Sequence, residues 1–268
     1  MKCHGFILSH EGNVRSNNED NAYINGFFRK NDDLCSWEYE SEYVDVMITA
    51  VFDGMGGEKE GEVAARIAAE SLDDIYKDCY SADKVRKGNV IFSDVVDAYV
   101  DDANNRIAKY DPGNNIGTTF AALSFENATF SFYNIGDSRG YLYRDGGLCQ
   151  MTRDHNLVRR MLKEGILTEE QAEKHPHRNA LYQFLGMKEE NNVIAPECYK
   201  EEMIQACGGD LCLLCTDGLT EMVTDKEICG VLSGRTTLKE KAEKLLEKAL
   251  QAGGRDNITI LLAEAVIM

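Results

Sequence analysis

The chain has 268 residues, 43% of them hydrophobic, enough to bury a sizeable core in one large domain or two small ones. Its formal net charge of −17 argues against binding nucleic-acid backbones or anionic membranes, and leaves room for cationic partners, metal ions among them. No apolar run approaches the roughly 18 residues of a membrane span. The segment from Met1 to Gly5 is too short for a signal peptide, so a cytoplasmic location is expected.

In chain order, the first strand candidates are Gly5–Ser9 and Asn21–Asn25. The acidic stretch 31–45, which carries the only tryptophan, Trp37, predicts a solvated insertion forming a long hairpin or loop. Val44–Phe52 reads as a buried strand that runs into Asp53-Gly54-Met55-Gly56-Gly57. An aspartate at a strand end, followed by glycine-rich backbone, lets a carboxylate and nearby carbonyls converge on a hard cation such as Mg²⁺ or Mn²⁺. Asp-Gly is equally a common turn dipeptide. Two helical faces follow, one with Ala64, Ile67, Ala68, Leu72 and Ile75, the other with Val96, Tyr99, Val100, Ala103 and Ile107.

Strands are then predicted over Thr118–Phe125, Thr129–Ile135 and Gly140–Arg144, with Glu126-Asn127 and Asp145-Gly146 as hairpin turns. Thr168-x-x-Gln171 and Thr224-x-x-Glu227 are helix-start signals on either side of a strand at Asp210–Thr216. A last helix opens with the capping box Thr237-x-x-Glu240 and stops at Gly253-Gly254, before a strand at Asn257–Val266. Helices inserted in pairs among antiparallel strands do not make a doubly wound parallel sheet. They predict an α+β layered fold with sheets inside and helices outside, and the absence of a Pro-, Gly- or Ser-rich linker predicts one domain over residues 1–268.

The nine cysteines follow no framework spacing and are expected as free thiols. Cys212-x-x-Cys215 lies in a strand candidate, where residues three apart point to opposite faces, and no second such pair exists to complete a zinc site. Two packed thiols are expected.

Five acidic residues share one context: Asp20, Asp53, Asp137, Asp217 and Asp256 each lie where a strand candidate begins or ends. Taken singly, each also suits a turn or a helix cap. In antiparallel sheets, however, the end of one strand lies beside the start of the next, so all five would gather at one rim. Carboxylates packed together repel, and such a cluster is tolerable with cations bound. Two divalent ions bridged by a carboxylate would hold a water of lowered pKa, suited to attack phosphorus. Arg15, five residues before Asp20, would supply a forked guanidinium for the phosphate.

At this point the residues resemble a family. Arg15-Ser16-Asn17-Asn18-Glu19-Asp20, Asp53-Gly54-Met55-Gly56-Gly57, Gly117-Thr118-Thr119, Gly136-Asp137-Ser138-Arg139, Thr216-Asp217-Gly218-Leu219 and Gly254-Arg255-Asp256-Asn257-Ile258-Thr259 stand in the order found in the metal-dependent PP2C (PPM) protein phosphatases. The nearest type is the compact bacterial serine/threonine phosphatase, and the likeness runs from about Gly12 to Val266. It implies an αββα sandwich of two central antiparallel sheets flanked by helix pairs. Asp53 would bridge two catalytic Mn²⁺ or Mg²⁺ ions. The Gly54 carbonyl would bind the first, and Asp217 and Asp256 the second. Asp20 would orient the attacking water with Glu19 beside it, and Arg15 would clamp the phosphate. Asp137, with Asp217, would serve a third, weaker metal site. Gly117-Thr118-Thr119 and Asn257 would support the site.

Two departures stand out. Animal members usually carry histidine where this chain has Met55, which cannot donate a proton to the leaving group. The acidic insertion at 31–45 is longer than compact members usually have. Residues 152–186 resemble the bacterial flap, a mobile segment beside the metals. Its histidines, His155, His175 and His177, match no helical metal motif and are expected to be structural or surface residues.

The resemblance thus implies a monomeric enzyme that hydrolyses phosphoserine and phosphothreonine in proteins and opposes a bacterial serine/threonine kinase. Two other readings stand beside it. One is a non-catalytic pseudophosphatase used for binding, the other a phosphatase of small phosphomonoesters.

Overall fold

The computed structural model describes residues 2–30, 36–41, 46–56, 60–79, 91–113, 115–173, 175–188 and 196–266. Apolar, β-rich runs form two six-stranded sheets. The first has the order β11 (Gly147–Gln150), β10 (Arg139–Arg144), β13 (Leu211–Cys215), β14 (Ile258–Val266), β1 (Lys2–His10), β4 (Ser36–Ser41). The second has the order β12 (Tyr199–Gln205), β9 (Thr129–Ile135), β8 (Phe120–Glu126), β5 (Val46–Phe52), β2 (Asn21–Ile24), β3 (Phe27–Phe28). Neighbours in both sheets are antiparallel. A short ribbon pairs β6 (Gly54–Met55) with β7 (Gly117–Thr118).

The strands are apolar on both faces because each sheet is covered twice. In β8, Ala121, Leu123 and Phe125 pack between the sheets, while Phe120 and Ala122 face the helices. In β13, Cys212 and Leu214 face inward and Leu213 and Cys215 outward. Phe120, Phe125, Phe130 and Phe132 are fully buried, and each contributes roughly 1.5–3 kcal/mol relative to exposure. Helices α1 (Gly61–Cys79) and α2 (Phe92–Tyr110) cover the second sheet through Ala64, Ala68, Leu72, Val96 and Tyr99. On the first sheet lie α5 (Asp217–Thr220), α6 (Asp225–Leu232) and α7 (Leu238–Gln251), with Leu245 and Ala249 in the shared core. The result is the αββα sandwich that the resemblance implied. Two further helices, α3 (Leu157–Lys163) and α4 (Glu169–Glu173), lie in the flap segment.

The helix caps and the Asp145-Gly146 turn behave as expected, while the first hairpin turn falls one residue later than Glu126-Asn127 because Glu126 pairs with Thr129. Asn127 and Ala128 hold φ of 50° and 60°, and Asp145 and Gly146 hold 51° and 82°, the twist that two-residue hairpins of the primed type require. Thr237 and Glu240 make a reciprocal capping box on α7, and Thr224 and Glu227 do the same on α6. Thr168 and Gln171 exchange the equivalent pair at α4.

Part of the insertion at 31–45 departs from the solvated loop expected. Ser36–Ser41 is β4, an edge strand on β1 in the register Ile7↔Trp37 and Gly5↔Tyr39. Trp37 and Tyr39 pack against the inter-sheet core while Glu38 faces out. That alternation is a half-buried strand pattern hidden by the acidic composition. Residues 31–35 and 42–45 lie outside the described residues. Strand β12 was also missed, because its sequence is polar and interrupted by a bulge between Glu201 and Ile204. No helix among the described residues is long and apolar enough to cross a membrane.

Candidate active site

Strand pairing brings the five aspartates to one rim. Asn21 pairs with Phe52 across β2 and β5, so Asp20 and Asp53 are the next residues beyond that pair. Chain crossing from β9 to β10 passes through Gly136, Asp137 and Ser138, and Arg139 then pairs with Cys215 of β13. Thr216 donates its backbone N–H to the Thr259 carbonyl at 3.1 Å, which sets Asp217 beside the start of β14 and Asp256. Helix α7 ends in the doubled glycine: the N–H groups of Gly253 and Gly254 reach the carbonyls of Leu250 and Ala249. Gly254 accepts in turn from Asn13 N–H at 2.7 Å, fixing the turn that presents Asp256.

The neighbours hold these residues rigidly. The Thr119 hydroxyl accepts from the Asp53 N–H at 2.9 Å and lies 2.6 Å from the Ser138 hydroxyl. Thr118 donates to the Asp53 carbonyl at 2.9 Å. Asp20 Oδ2 accepts from the hydroxyls of Thr216 and Thr259 at 2.9 and 2.6 Å. Asp20 Oδ1 is buried with no hydrogen-bond partner among the described residues. Asn257 donates to the carbonyls of Glu11 and Asn17 and accepts from Glu19 N–H at 2.8 Å, tying the N-terminal loop to the rim. At Gly54 a Cβ would stand 2.2 Å from the Gly61 carbonyl and 2.5 Å from that of Glu19, so no other residue fits.

A cleft of about 660 Å³ is lined by Arg15, Glu19, Asp53, Gly54, Asp137, Asp217 and Asp256, with Asn179 and Leu181 from the flap segment. Asp20 lies among these groups without lining the cleft. A larger cavity of about 1700 Å³ sits elsewhere against the flap, but its lining lacks Asp53 and Asp256. We place the chemistry where the carboxylates converge.

The electrostatics of that cleft are costly. Asp53 is raised well above the ordinary carboxylate range, first by burial and then by Asp217, Asp20, Asp137 and Asp256. Burial lifts Asp20 to about 7, against the pull of its two threonine hydroxyls. Burial and the charges of Glu221 and Asp256 lift Asp217 to about 7. Asp137 is raised well above its usual range by burial and then by Asp217 and Asp154. Arg15 answers part of this charge: its Nη2 donates to Asp256 Oδ2 at 2.8 Å on the cleft rim. Among the described residues, no three His, Cys, Asp or Glu side chains form a ready-made ligand cluster. Glu19 sits beside the N-terminus of α1, its carboxyl raised by burial and by Glu62.

His155 is buried, its Nδ1 accepts from Gly136 N–H at 3.2 Å, and burial lowers its pKa to about 4, so the ring is neutral at pH 7. His175 accepts from the His177 N–H at 3.2 Å. The buried Cys212 and Cys215 face opposite sides of their sheet, with burial raising both thiols. Residue types alone gave no role to Thr216, Thr259 or Ser138, although all three stand within the quoted motifs. Asn179, within the flap resemblance, had no assigned role.

Residues 29–252 match the model of the protein phosphatase 2C family. The serine/threonine phosphatase stp of Listeria monocytogenes serotype 4b is 32% identical over 269 residues, covering 97% of this chain and 95% of that protein. The crystal structure of Mycobacterium tuberculosis serine/threonine phosphatase PstP superposes with a TM-score of 0.75 at 33% identity, covering 100% of both chains. A second structure, the PstP catalytic domain in complex with 2 manganese ions, gives 0.73 at 31% identity and the same coverage. The chain belongs to the protein phosphatase 2C family. Within it, the fold and the relatives define a bacterial-type serine/threonine phosphatase.

Proposed function

We propose that the chain hydrolyses phosphoserine and phosphothreonine esters of proteins at the carboxylate cleft, with two Mn²⁺ or Mg²⁺ ions as resident cofactors. The observation that carries this reading is the convergence of Asp20, Asp53, Asp137, Asp217 and Asp256, whose mutual repulsion calls for cations at neutral pH. The residues fit hard divalent ions. Every candidate donor is oxygen, Asp20 Oδ1 is buried without a partner among the described residues, and the Gly54 backbone carries no Cβ to crowd its carbonyl. The two manganese ions of the related PstP domain support the same reading.

Asp53 would bridge the ions, with the Gly54 carbonyl on the first and Asp217 and Asp256 on the second. Asp137, with Asp217, would offer a third and weaker place. When bound, such a pair supplies a water of lowered pKa and screens the charge of the phosphate.

The chain's own residues do the rest. Asp20, fixed through Oδ2 by Thr216 and Thr259, keeps Oδ1 available to accept from the attacking water and orient it. Glu19, held beside it through Asn257, adds negative charge at the mouth. Arg15 now pairs with Asp256, and on substrate binding its fork would transfer to the phosphate oxygens. Met55 has no proton to give, so the leaving alkoxide takes its proton from water. In the cell this describes a cytoplasmic monomer that acts on phosphoproteins and opposes a serine/threonine kinase.

A non-catalytic role would be expected to have cost at least one of the aspartates, and none is lost. The test is phosphate release from a phosphothreonine peptide. Release should require Mn²⁺ or Mg²⁺, stop in EDTA, and fall by about a thousandfold in Asp53→Asn. Turnover that survives EDTA would overturn the reading, and higher rates on metabolite phosphates than on peptides would move the substrate class.

A further inference from the structure

The cavity of about 1700 Å³ is not part of the catalytic cleft and shares no lining residue with it. A smaller cavity of about 380 Å³ neighbours both: it shares Arg139, Asp154 and Arg159 with the large groove, and Asp137, Asn179 and Asp217 with the cleft. The three hollows thus follow one another from the carboxylates, past the base of the flap, to a groove between α3, β12 and α2. An extended polypeptide whose phosphorylated residue sits in the cleft would lie along them.

The two walls of the groove differ in sign. On the flap side stand Arg153, Arg159, Arg160 and Lys163, with Glu164 beside them, and Glu197 and Asp225 also line the groove. Asp154, on the same side, is already held by Arg139 through both carboxylate oxygens. On the far side α2 contributes Asp97 and Asp101, of which Asp97 is paired with Lys200 at 2.8 Å.

Two of the flap-side arginines are set on aromatic shelves. The Arg153 guanidinium lies 4.3 Å over the Tyr199 ring, and that of Arg160 lies 5.6 Å over Tyr182. Tyr182 is itself braced against buried His155, with ring centroids 5.6 Å apart, and the Tyr199 hydroxyl is fixed to Glu201 at 2.8 Å. A guanidinium laid flat on a ring keeps its edge donors free and loses little freedom when it binds a carboxylate. Arg153 shares a hydrogen bond with the Tyr199 side chain and makes no ion pair with a carboxylate among the described residues, and Arg160 commits its Nε to Glu164. In a chain of net charge −17, a row of pre-oriented cations beside the cleft is a local exception.

We propose that this groove docks the segment of the phosphoprotein next to the phosphorylated residue, and that Arg153 and Arg160 select segments carrying aspartate or glutamate. The proposal rests on the phosphatase reading above and adds its substrate preference. Acidic side chains are drawn to the flap wall and turned away from Asp101 on α2, so the preference is for acidic over neutral over basic flanks.

The test uses phosphothreonine peptides of equal length with glutamate-rich, neutral or lysine-rich flanks, and p-nitrophenyl phosphate as a substrate with no flank. The wild type should favour the acidic peptide over the neutral one by about tenfold in kcat/KM, chiefly through KM. The double variant Arg153→Ala/Arg160→Ala should lose most of that preference and turn over p-nitrophenyl phosphate at the wild-type rate, which also reports that it is folded. Arg160→Glu should shift preference toward the lysine-rich peptide. Equal kcat/KM for acidic and neutral peptides in the wild type, or a preference that persists in the double variant, would overturn the proposal. Fluorescence anisotropy of the same peptides in EDTA reads the groove without turnover. Absent hydrolysis with an intact acidic preference in binding would sink the phosphatase reading alone, while binding blind to flank charge would sink the groove.

Discussion

Asp53 sits where function and stability conflict. Its carboxylate is raised well above the ordinary range by burial and by four neighbouring aspartates. Asp20 and Asp217 are lifted to about 7, against about 4 for a free carboxylate. Between those values the folded chain binds more protons than the unfolded one, so folding stability falls as pH rises from about 4 to 7. Thermal melts in EDTA should show this decline. Asp53→Asn removes a carboxyl that folding keeps from ionising freely, and should raise stability in EDTA at pH 7.5 by roughly 1–2 kcal/mol while turnover falls by about a thousandfold. A variant that melts lower than the wild type in EDTA would show that the cluster is not strained. Thr259 is the complementary case. Its hydroxyl gives Asp20 its shortest hydrogen bond, 2.6 Å. Thr259→Val should cost about 1–3 kcal/mol in chemical denaturation and lower kcat, and Thr259→Ser should restore both.

Elements explain why so much was legible and where legibility stopped. Strands with long apolar runs, such as Val46–Phe52 and Leu211–Cys215, announce themselves because both faces are buried. Capping boxes at Thr224 and Thr237 marked helix starts to the residue. Thr237→Ala should therefore lower stability by about 1 kcal/mol in urea titration with activity unchanged, since the cap lies on α7 away from the cleft. Strand β4 was hidden because Trp37 and Tyr39 alternate with acidic residues, and composition outweighed period. Strand β12 was hidden because an edge strand with a bulge needs little apolar sequence. The site residues were readable from strand ends and Thr118 and Thr119 from the family motif, but the hydroxyls of Thr216, Thr259 and Ser138 were not. Threonine in an apolar strand looks like any β-branched residue until its partner across the sheet is known.

At the scale of the whole molecule the site is a product of long-range pairing. The strand β1 lies between β14 and β4, and Asn257, just before β14, reaches a loop that starts near residue 11. No local pattern contains that closure, and only the family resemblance supplied it in advance. The same closure gathers five carboxylates of a chain with net charge −17 at one rim, the cleft at which we propose that divalent ions bind. Crystals soaked in Mn²⁺ and measured at the manganese absorption edge test it most directly. The account predicts two strong anomalous peaks in the cleft, with Asp53 between them, the Gly54 carbonyl on one and Asp217 and Asp256 on the other. An empty cleft at saturating Mn²⁺, or peaks that leave Asp53 without a metal contact, would contradict it.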